Sequence, residues 1–311
     1  MPGSSEIFAI INPRAASNRA RRQLQRIQQR MLDQGFSVTL RFTERKMHAV
    51  ALAREAAQAG PRYVVGIGGD GTFNEIINGY MSAGVSADRL PELGLIAAGT
   101  GSDLIRTFDI PVDPCRAVDT TVNGRTRAID IGKVRFHDGR RTWIRYFANV
   151  FDVGLGGMVV RIANSLPKPL GGYATFFLSS VAGIVLFKPP FLHLKADGKT
   201  IDTGSMNIVG VANGRYFGGG MDIAPMARTD DGMFELLYVK DTNLFKFLGK
   251  VLLPVYEAKH LTYKNLYHYP VRTLGIKSSR LFLADIDGEE ERALSAEVSI
   301  IPNAIRIRAP R

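Results

Sequence analysis

The stretch that decides the fold is YVVGIGGDGTFNEIINGY, Tyr63 to Tyr80. Val64, Val65 and Ile67 read as the end of a buried strand, and Gly66, Gly68, Gly69 and Gly71 let the backbone turn sharply and approach a ligand closely. Thr72 then opens a helix. With Glu75 three residues on, it forms a T-x-x-E capping box, so the free amides and the positive end of the helix face the loop. A phosphate group fits such a place.

The flanking segments repeat this strand-to-helix pattern. Ile7 to Ile11 reads as a buried strand, followed by Asn12-Pro13, a polar turn through Asn18, and a helix with Leu24, Ile27 and Met31 at helical spacing. Phe36 to Phe42 and Arg62 to Ile67 are the next strands and His48 to Ala59 and Thr72 to Met81 the helices between and after them; Leu93 to Ala98 is a fourth strand. Strict alternation predicts a parallel sheet covered on both faces, with ligands at the carboxyl ends of its strands. Those ends carry Asn12-Pro13, Thr43-Glu44, Gly68 to Thr72, and Gly99-Thr100-Gly101-Ser102-Asp103. Each alone is ordinary turn composition; four converging on one edge predict a nucleotide site.

After Arg127 the texture changes to short β-rich runs, among them Trp143 to Val153, Phe191 to Ala196, Met206 to Ala212, Met233 to Val239, Val271 to Lys277, Arg280 to Ile286 and Val298 to Ile301. Turn signals such as Asp138-Gly139, Asp197-Gly198 and Asn213-Gly214 separate them. This pattern predicts an antiparallel sandwich or barrel. Gly172 to Phe187 and Asn243 to His260 interrupt it.

Composition bounds the alternatives. The chain has 311 residues, 45% hydrophobic and 22% charged, enough for two domains with ordinary cores. Its one cysteine, Cys115, excludes an internal disulfide and any Cys-based metal framework, and fits a reducing, cytoplasmic compartment. The start lacks a basic n-region, so export is not expected. The longest apolar stretch, Ala174 to Phe187, falls short of the roughly 20 residues that span a bilayer. The net charge of +11 favours anionic partners. No RNP-type motif or zinc finger is present, and Arg19, Arg21, Arg22, Arg26 and Arg30 read as a solvated helix face, so nucleic acid is not expected.

Asp70 is the acidic residue among anion-attracting amides, where its charge opposes a bound phosphate. A bridging Mg²⁺ removes that conflict; a turn cap is the structural alternative. Asp103 stands between the same two readings, and the capping box accounts for Glu75. Late in the chain, Ala284 to Glu291 is an acidic turn after a strand. It can supply a general base to an alcohol, or simply be solvated. Asp230 and Asp231, in ARTDDGMF, sit in a hairpin turn that can also hold a hard cation.

With these residues in view, the chain resembles the diacylglycerol kinase catalytic-domain family, in particular bacterial soluble lipid kinases related to sphingosine and ceramide kinases. Ile10 to Pro13 resembles the family's opening strand and nucleotide turn, Gly68 to Glu75 its GGDGTxNE signature, and Leu95 to Phe108 its second glycine motif. Asn149 to Gly157, Asn213 to Pro225, the DDGMFE stretch and Asp287-Gly288-Glu289 follow in family order. GGDGT is shared with NAD kinases and phosphofructokinase-like enzymes; the adjoining Asn-Glu and the later motifs are more specific.

The resemblance implies an N-terminal Rossmann-like three-layer α/β nucleotide-binding domain, residues 1–127, and an antiparallel β-sandwich acceptor domain, residues 128–300. A segment 301–311 would return to the first domain, with the active site in the interdomain cleft. It implies ATP and Mg²⁺ as cofactors and a lipid alcohol, diacylglycerol foremost, as acceptor. The implied ATP contacts are Asn12, Pro13, Arg14, Ala15, Ala16, Thr43, Gly68, Gly69, Asp70, Gly71, Thr72, Phe73, Asn74 and Thr100, with Asp103 beside them. Glu289 would take the hydroxyl proton, with Asp70 and Asp287 completing the catalytic set. A structural Mg²⁺ would be held by the Asp231 side chain and the carbonyls of Arg228 and Met233. Two departures are Ser102, where many members have Asn, and Arg228-Thr229, where Lys-Leu is common. An NAD kinase-like enzyme, a sphingoid or ceramide kinase, and a non-catalytic lipid-binding protein are the alternatives. A cytoplasmic protein in peripheral contact with anionic membrane surfaces is expected; Gly172 to Phe187 and Asn243 to His260 read first as buried core helices covering the sandwich, with contact to the membrane as the alternative. The oligomeric state is open.

Overall fold

The structure is a computed structural model that describes residues 6–15, 19–98, 102–165, 187–240 and 242–311. The chain divides into two compact units: residues 1–130 with 303–311, and residues 131–302.

In the first unit β1 (Glu6–Ile11), β2 (Ser37–Phe42), β3 (Tyr63–Gly68) and β4 (Glu92–Ala97) lie parallel in the order β4-β3-β1-β2. All six residues of β3 are buried, as a central strand with helices on both faces requires. The helices are α1 (Arg19–Asp33), α2 (His48–Ala59), α3 (Asp70–Met81), α4 (Asp103–Thr107) and α5 (Pro114–Asn123). Close packing of α2 on α3 depends on Gly79, where a Cβ would come within 2.5 Å of the Val50 carbonyl oxygen. β15 (Glu289–Ala309) ends beside β4, Ile307 pairing with Leu93. Arg308 fixes that end: it donates to the carbonyls of Thr121 and Val122, to Glu92 at 3.1 Å and to Thr126 at 2.8 Å.

The second unit takes its strands from β5 (Arg125–His137), β6 (Thr142–Phe147), β7 (Val150–Gly154), β8 (Phe191–Ala196), β9 (Lys199–Ala212), β12 (Phe234–Lys240), β13 (Leu266–Val271), β14 (Thr273–Ile286) and β15; β10 (Tyr216–Phe217) and β11 (Met221–Asp222) form a separate short hairpin. The antiparallel order is β13-β12-β9-β7-β14-β15, with β8 paired to both β9 and β14. Alternation along the strands makes two cores. Phe151, Val153, Val209, Val211, Leu236, Ile276, Ala284 and Ile286 fill one face. Val150, Ala212, Leu237 and Val239 fill the other, beneath Leu155 and Val159 of α6 (Leu155–Ser165) and Phe247, Val251, Leu252 and Val255.

Trp143 to Val153, read as one strand run, is broken into β6 and β7. The carboxylate of Asp287 takes the amides of Ala148, Asn149 and Val150 at 2.9, 3.1 and 2.9 Å, so a side chain replaces the ladder there. Asn243 to His260 forms short helical turns: Leu244–Phe247, a wider π turn at Leu248–Leu252, and 3₁₀ turns at Pro254–Glu257 and Lys259–Thr262. Gly172 to Phe187 lies outside the described residues apart from Phe187. No helix among the described residues is long and apolar enough to cross a membrane.

Candidate active site

At the carboxyl edge of the parallel sheet the first unit gathers Asn12, Thr43, the Gly68 to Asn74 turn and Asp103. Asn12 continues the edge of β1 by donating its amide to the Ile67 carbonyl, and Thr43 does so from β2 by donating to the Ile11 carbonyl at 2.8 Å. The Asn12 side chain accepts from the Arg14 amide and donates to the Thr72 hydroxyl at 3.1 Å. Pro13 and Arg14 form the turn, with Ala15 buried behind it. Ala16, Gly99, Thr100 and Gly101 lie outside the described residues.

The glycine turn is tighter than the capping-box reading implies. α3 begins at Asp70, with Gly69 as N-cap in an extended conformation and no side-chain cap. Gly68 is required for space, because a Cβ there would lie 2.6 Å from the Thr72 hydroxyl oxygen. Phe73 and Asn74 are buried. The expected Thr72/Glu75 box is therefore corrected: Thr72 is already inside the helix, engaged by Asn12. Glu75 instead accepts from the amides of Met47 at 2.8 Å and Ala49 at 3.0 Å, capping α2. Asp70 likewise serves a neighbouring helix, taking the amides of Asp103 and Leu104 at 3.1 Å each at the start of α4. Ser102, the N-cap of α4, has φ +68° and contributes no side-chain cap; Asp70 supplies it.

In the second unit Asp287 and Gly288 form the two-residue turn between β14 and β15, with φ +49° and +89°. That is the left-handed pair of an Asp-Gly hairpin turn. Asp287 is fixed by its three amide bonds, Glu289 is half-buried at the start of β15, and Asp285 accepts from the Gly288 amide at 2.7 Å. Beyond it, Glu291 accepts from Arg145 at 2.8 Å and Trp143 at 3.1 Å.

Asp231 is exposed and accepts from the Met233 amide at 3.0 Å, while the Arg228 guanidinium faces Asp230 at 3.4 Å. Burial, then the charge of Asp231, pushes the Glu235 carboxyl above its usual range. Among the described residues no group of three or more His, Cys, Asp or Glu side chains gathers as a metal cluster. Asp231 alone would therefore rely on carbonyl oxygens to complete a cation site.

Several features were not assigned from the sequence. α6, β9, β12 and the turns from Phe247 to Val255 enclose an apolar cavity with about 690 Å³ of space free of protein atoms, partly open to solvent. Leu155, Val159, Ile208, Leu237 and Val251 line it, and His260 is its buried imidazole. His260 Nε2 donates to the Ile223 carbonyl at 2.9 Å, and burial lowers its pKa, which keeps the ring neutral. Asp152 and Asp285 are wholly buried on the same face. An acidic residue within the otherwise apolar Val150 to Val153 was the available signal for Asp152.

A glycine-bordered helix start beside Asn12 and Thr43, with a carboxylate turn on an antiparallel unit, defines the class: a two-unit phosphotransferase. The family model described as "Diacylglycerol kinase catalytic domain" matches residues 6–134, and that of the "YegS C-terminal NAD kinase beta sandwich-like domain" matches residues 149–309. The chain belongs to the diacylglycerol kinase catalytic-domain family and is an enzyme of the lipid-kinase class. ATP use goes with the family. The diacylglycerol kinase of Bacillus subtilis strain 168 is 27% identical over 97% of this chain and 95% of its own length. A crystal structure of a diacylglycerol kinase from Bacillus anthracis superposes with a TM-score of 0.72 at 19% identity, covering 98% of this chain and 97% of the other. Yeast NADH kinase, solved with NADH, shares the fold with a TM-score of 0.53 at 12% identity, over 100% of this chain and 88% of that one.

Proposed function

We propose that this chain transfers the γ-phosphoryl group of ATP to the hydroxyl of an acyl lipid, diacylglycerol foremost, giving phosphatidic acid. The observation that carries the reading is the apolar cavity in the unit that also holds the Asp287 to Glu289 turn. Its lining offers an acyl chain a dry path, whereas NAD, polar along its whole length, would leave hydrogen-bonding groups unpaired there. The name of the Bacillus subtilis relative supports the choice of acceptor.

In this reaction the acceptor oxygen bonds to the γ-phosphorus, the bond from that phosphorus to the β-bridging oxygen breaks, and ADP leaves. Glu289 takes the hydroxyl proton, and Asp287, held by three amides, fixes the turn that presents it. Asn12, Pro13, Arg14, Ala15, Thr43, Gly68, Gly69, Asp70, Gly71, Thr72, Phe73, Asn74 and Asp103 form the nucleotide side, Ala16 and Thr100 joining them by sequence. Gly68 and the start of α3 offer the space and the amides that a phosphate needs. When bound, Mg²⁺ would neutralise charge on the phosphate oxygens. Asp70 fits it, since each of its oxygens accepts one amide and retains a lone pair. Asp231, with the carbonyls of Arg228 and Met233, would hold a second Mg²⁺.

The protein would act in the cytoplasm on anionic membrane surfaces. Phe245, 82% exposed, and Leu253 stand out from the turns over the cavity, with Lys246 and Lys250 beside them. The test is an acceptor panel with labelled ATP and Mg²⁺: diacylglycerol micelles, sphingoid base, ceramide and NAD, each alone. Label in phosphatidic acid is expected; label only in NADP would overturn the reading.

A further inference from the structure

Asp152 and Asp285 stand directly opposite each other across the β7/β14 pair, both 1% exposed or less. Opposed residues of an antiparallel pair send their side chains to one face, about 5 Å apart at Cβ. Of the four carboxylate oxygens, Asp285 Oδ1 accepts from Gly288; the other three have no hydrogen-bond partner among the described residues. Two adjacent anions without a counter-ion or solvent cannot both stay charged. One proton between them removes the repulsion and supplies the missing donor.

We propose that Asp152 and Asp285 share one proton, and that this proton-bridged pair is a positioning element that holds the Asp287 to Glu289 turn against the start of α6. Asp285 grips the turn through Gly288. Asp152 backs onto the cavity wall: a Cβ at Gly156 would fall 2.1 Å from its Oδ1, and a Cβ at Gly210, its register partner on β9, 3.4 Å from its Cβ. Gly156 and Gly210 both line the cavity. The shared proton thereby ties the cavity that would take the acyl chain to the turn that presents Glu289. The inference rests on the lipid-kinase reading of those two features.

Burial raises both carboxyls, Asp152 to about 8, and the charge of Asp152 raises Asp285 further. The amides of Gly156 and Gly157 favour the charged form of Asp152, without reaching hydrogen-bond geometry. Asp287 and Glu289 on the same hairpin oppose ionisation of Asp285. Opposite it on β15 stands Glu290, paired with Arg292. Arg161 on α6 is exposed, and β9 presents the uncharged Gly210.

Infrared spectra of the substrate-free protein in heavy water read the proton directly. A protonated-carboxyl carbonyl band is expected at neutral pH, persisting at least in part above pH about 8 because ionised Asp152 raises Asp285, and altered in both D152N and D285N. Its absence from the wild type, or its persistence unchanged in both variants, overturns the shared proton. Turnover reads the positioning role. D285A should lower kcat/KM by about 10²-fold through misplacement of the turn. D285N, whose amide can donate to Asp152 while its oxygen accepts from Gly288, should recover most of that loss. A D285N variant that recovers none of the D285A loss overturns the role. If the wild type labels none of the lipids, the lipid reading fails, and with it the positioning role, while the infrared band still decides the shared proton.

Discussion

Asp70, the first residue of α3, caps α4 by accepting the Leu104 amide at 3.1 Å, and its second oxygen takes the amide of Asp103. One carboxylate thus fastens the first glycine turn to the segment that follows the second. In the proposed phosphate site such a tie would keep the amides on the two sides in register.

Asp70→Asn should therefore do more than remove a charge. An amide has one acceptor oxygen, so one of the two α4 amides loses its partner. Turnover should fall below detection, and stability should fall by about 0.5–2 kcal/mol. Kinetic assay with urea unfolding checks both; wild-type-like turnover would remove Asp70 from the mechanism.

Glu289→Gln keeps the size of the side chain and removes its basicity. kcat should drop by about 10²–10⁴-fold with nucleotide affinity nearly unchanged by calorimetry. Loss of affinity with little change in kcat would make Glu289 a nucleotide contact.

Glu75→Ala frees the amides of Met47 and Ala49 at the start of α2. A loss of about 1–2 kcal/mol in unfolding free energy is expected, with turnover falling only as far as the folded fraction does. Differential scanning calorimetry beside the assay separates the two.

The buried carboxyl of Asp152 sets a pH dependence with a definite sign. Its folded pKa is raised from 3.8 to about 8, so the folded chain keeps a proton that the unfolded chain gives up. Its contribution is fully present below pH 3.8 and is lost as the pH rises through about 8. Asp152→Asn should flatten that decline, raising stability at pH 8 relative to pH 5 when compared with the wild type in guanidinium unfolding.

Val159→Trp would place an indole in the cavity. kcat/KM for long-chain diacylglycerol should fall about tenfold or more, with a smaller change for a short-chain analogue. An equal loss for both would mean that the cavity does not take the acyl chain.

Much of the first unit is legible in the sequence, because β-branched strand, glycine turn and helix follow one another locally in Tyr63 to Tyr80. The alternation in the second half likewise announces antiparallel strands. The targets of the carboxylates were not legible. Asp70 and Glu75 accept from amides at helix starts 33 and 28 residues away, those of Asp103 and Met47, and a capping motif reads only its own helix. Asp152 and Asp285 are hidden for the same reason, since only the register of β7 on β14 makes them neighbours. The break at Ala148 and Asn149 follows from Asp287, far along the chain.

β15 runs for 21 residues, beginning at Glu289 and ending beside β4. During synthesis, residues 1–130 emerge long before 303–309, so the parallel sheet waits for its last strand until the antiparallel unit has been made. The β4 edge stays unpaired in that interval and is open to wrong partners. A nascent chain therefore completes the parallel sheet of its first unit only after residues 131–302 of the second have been made.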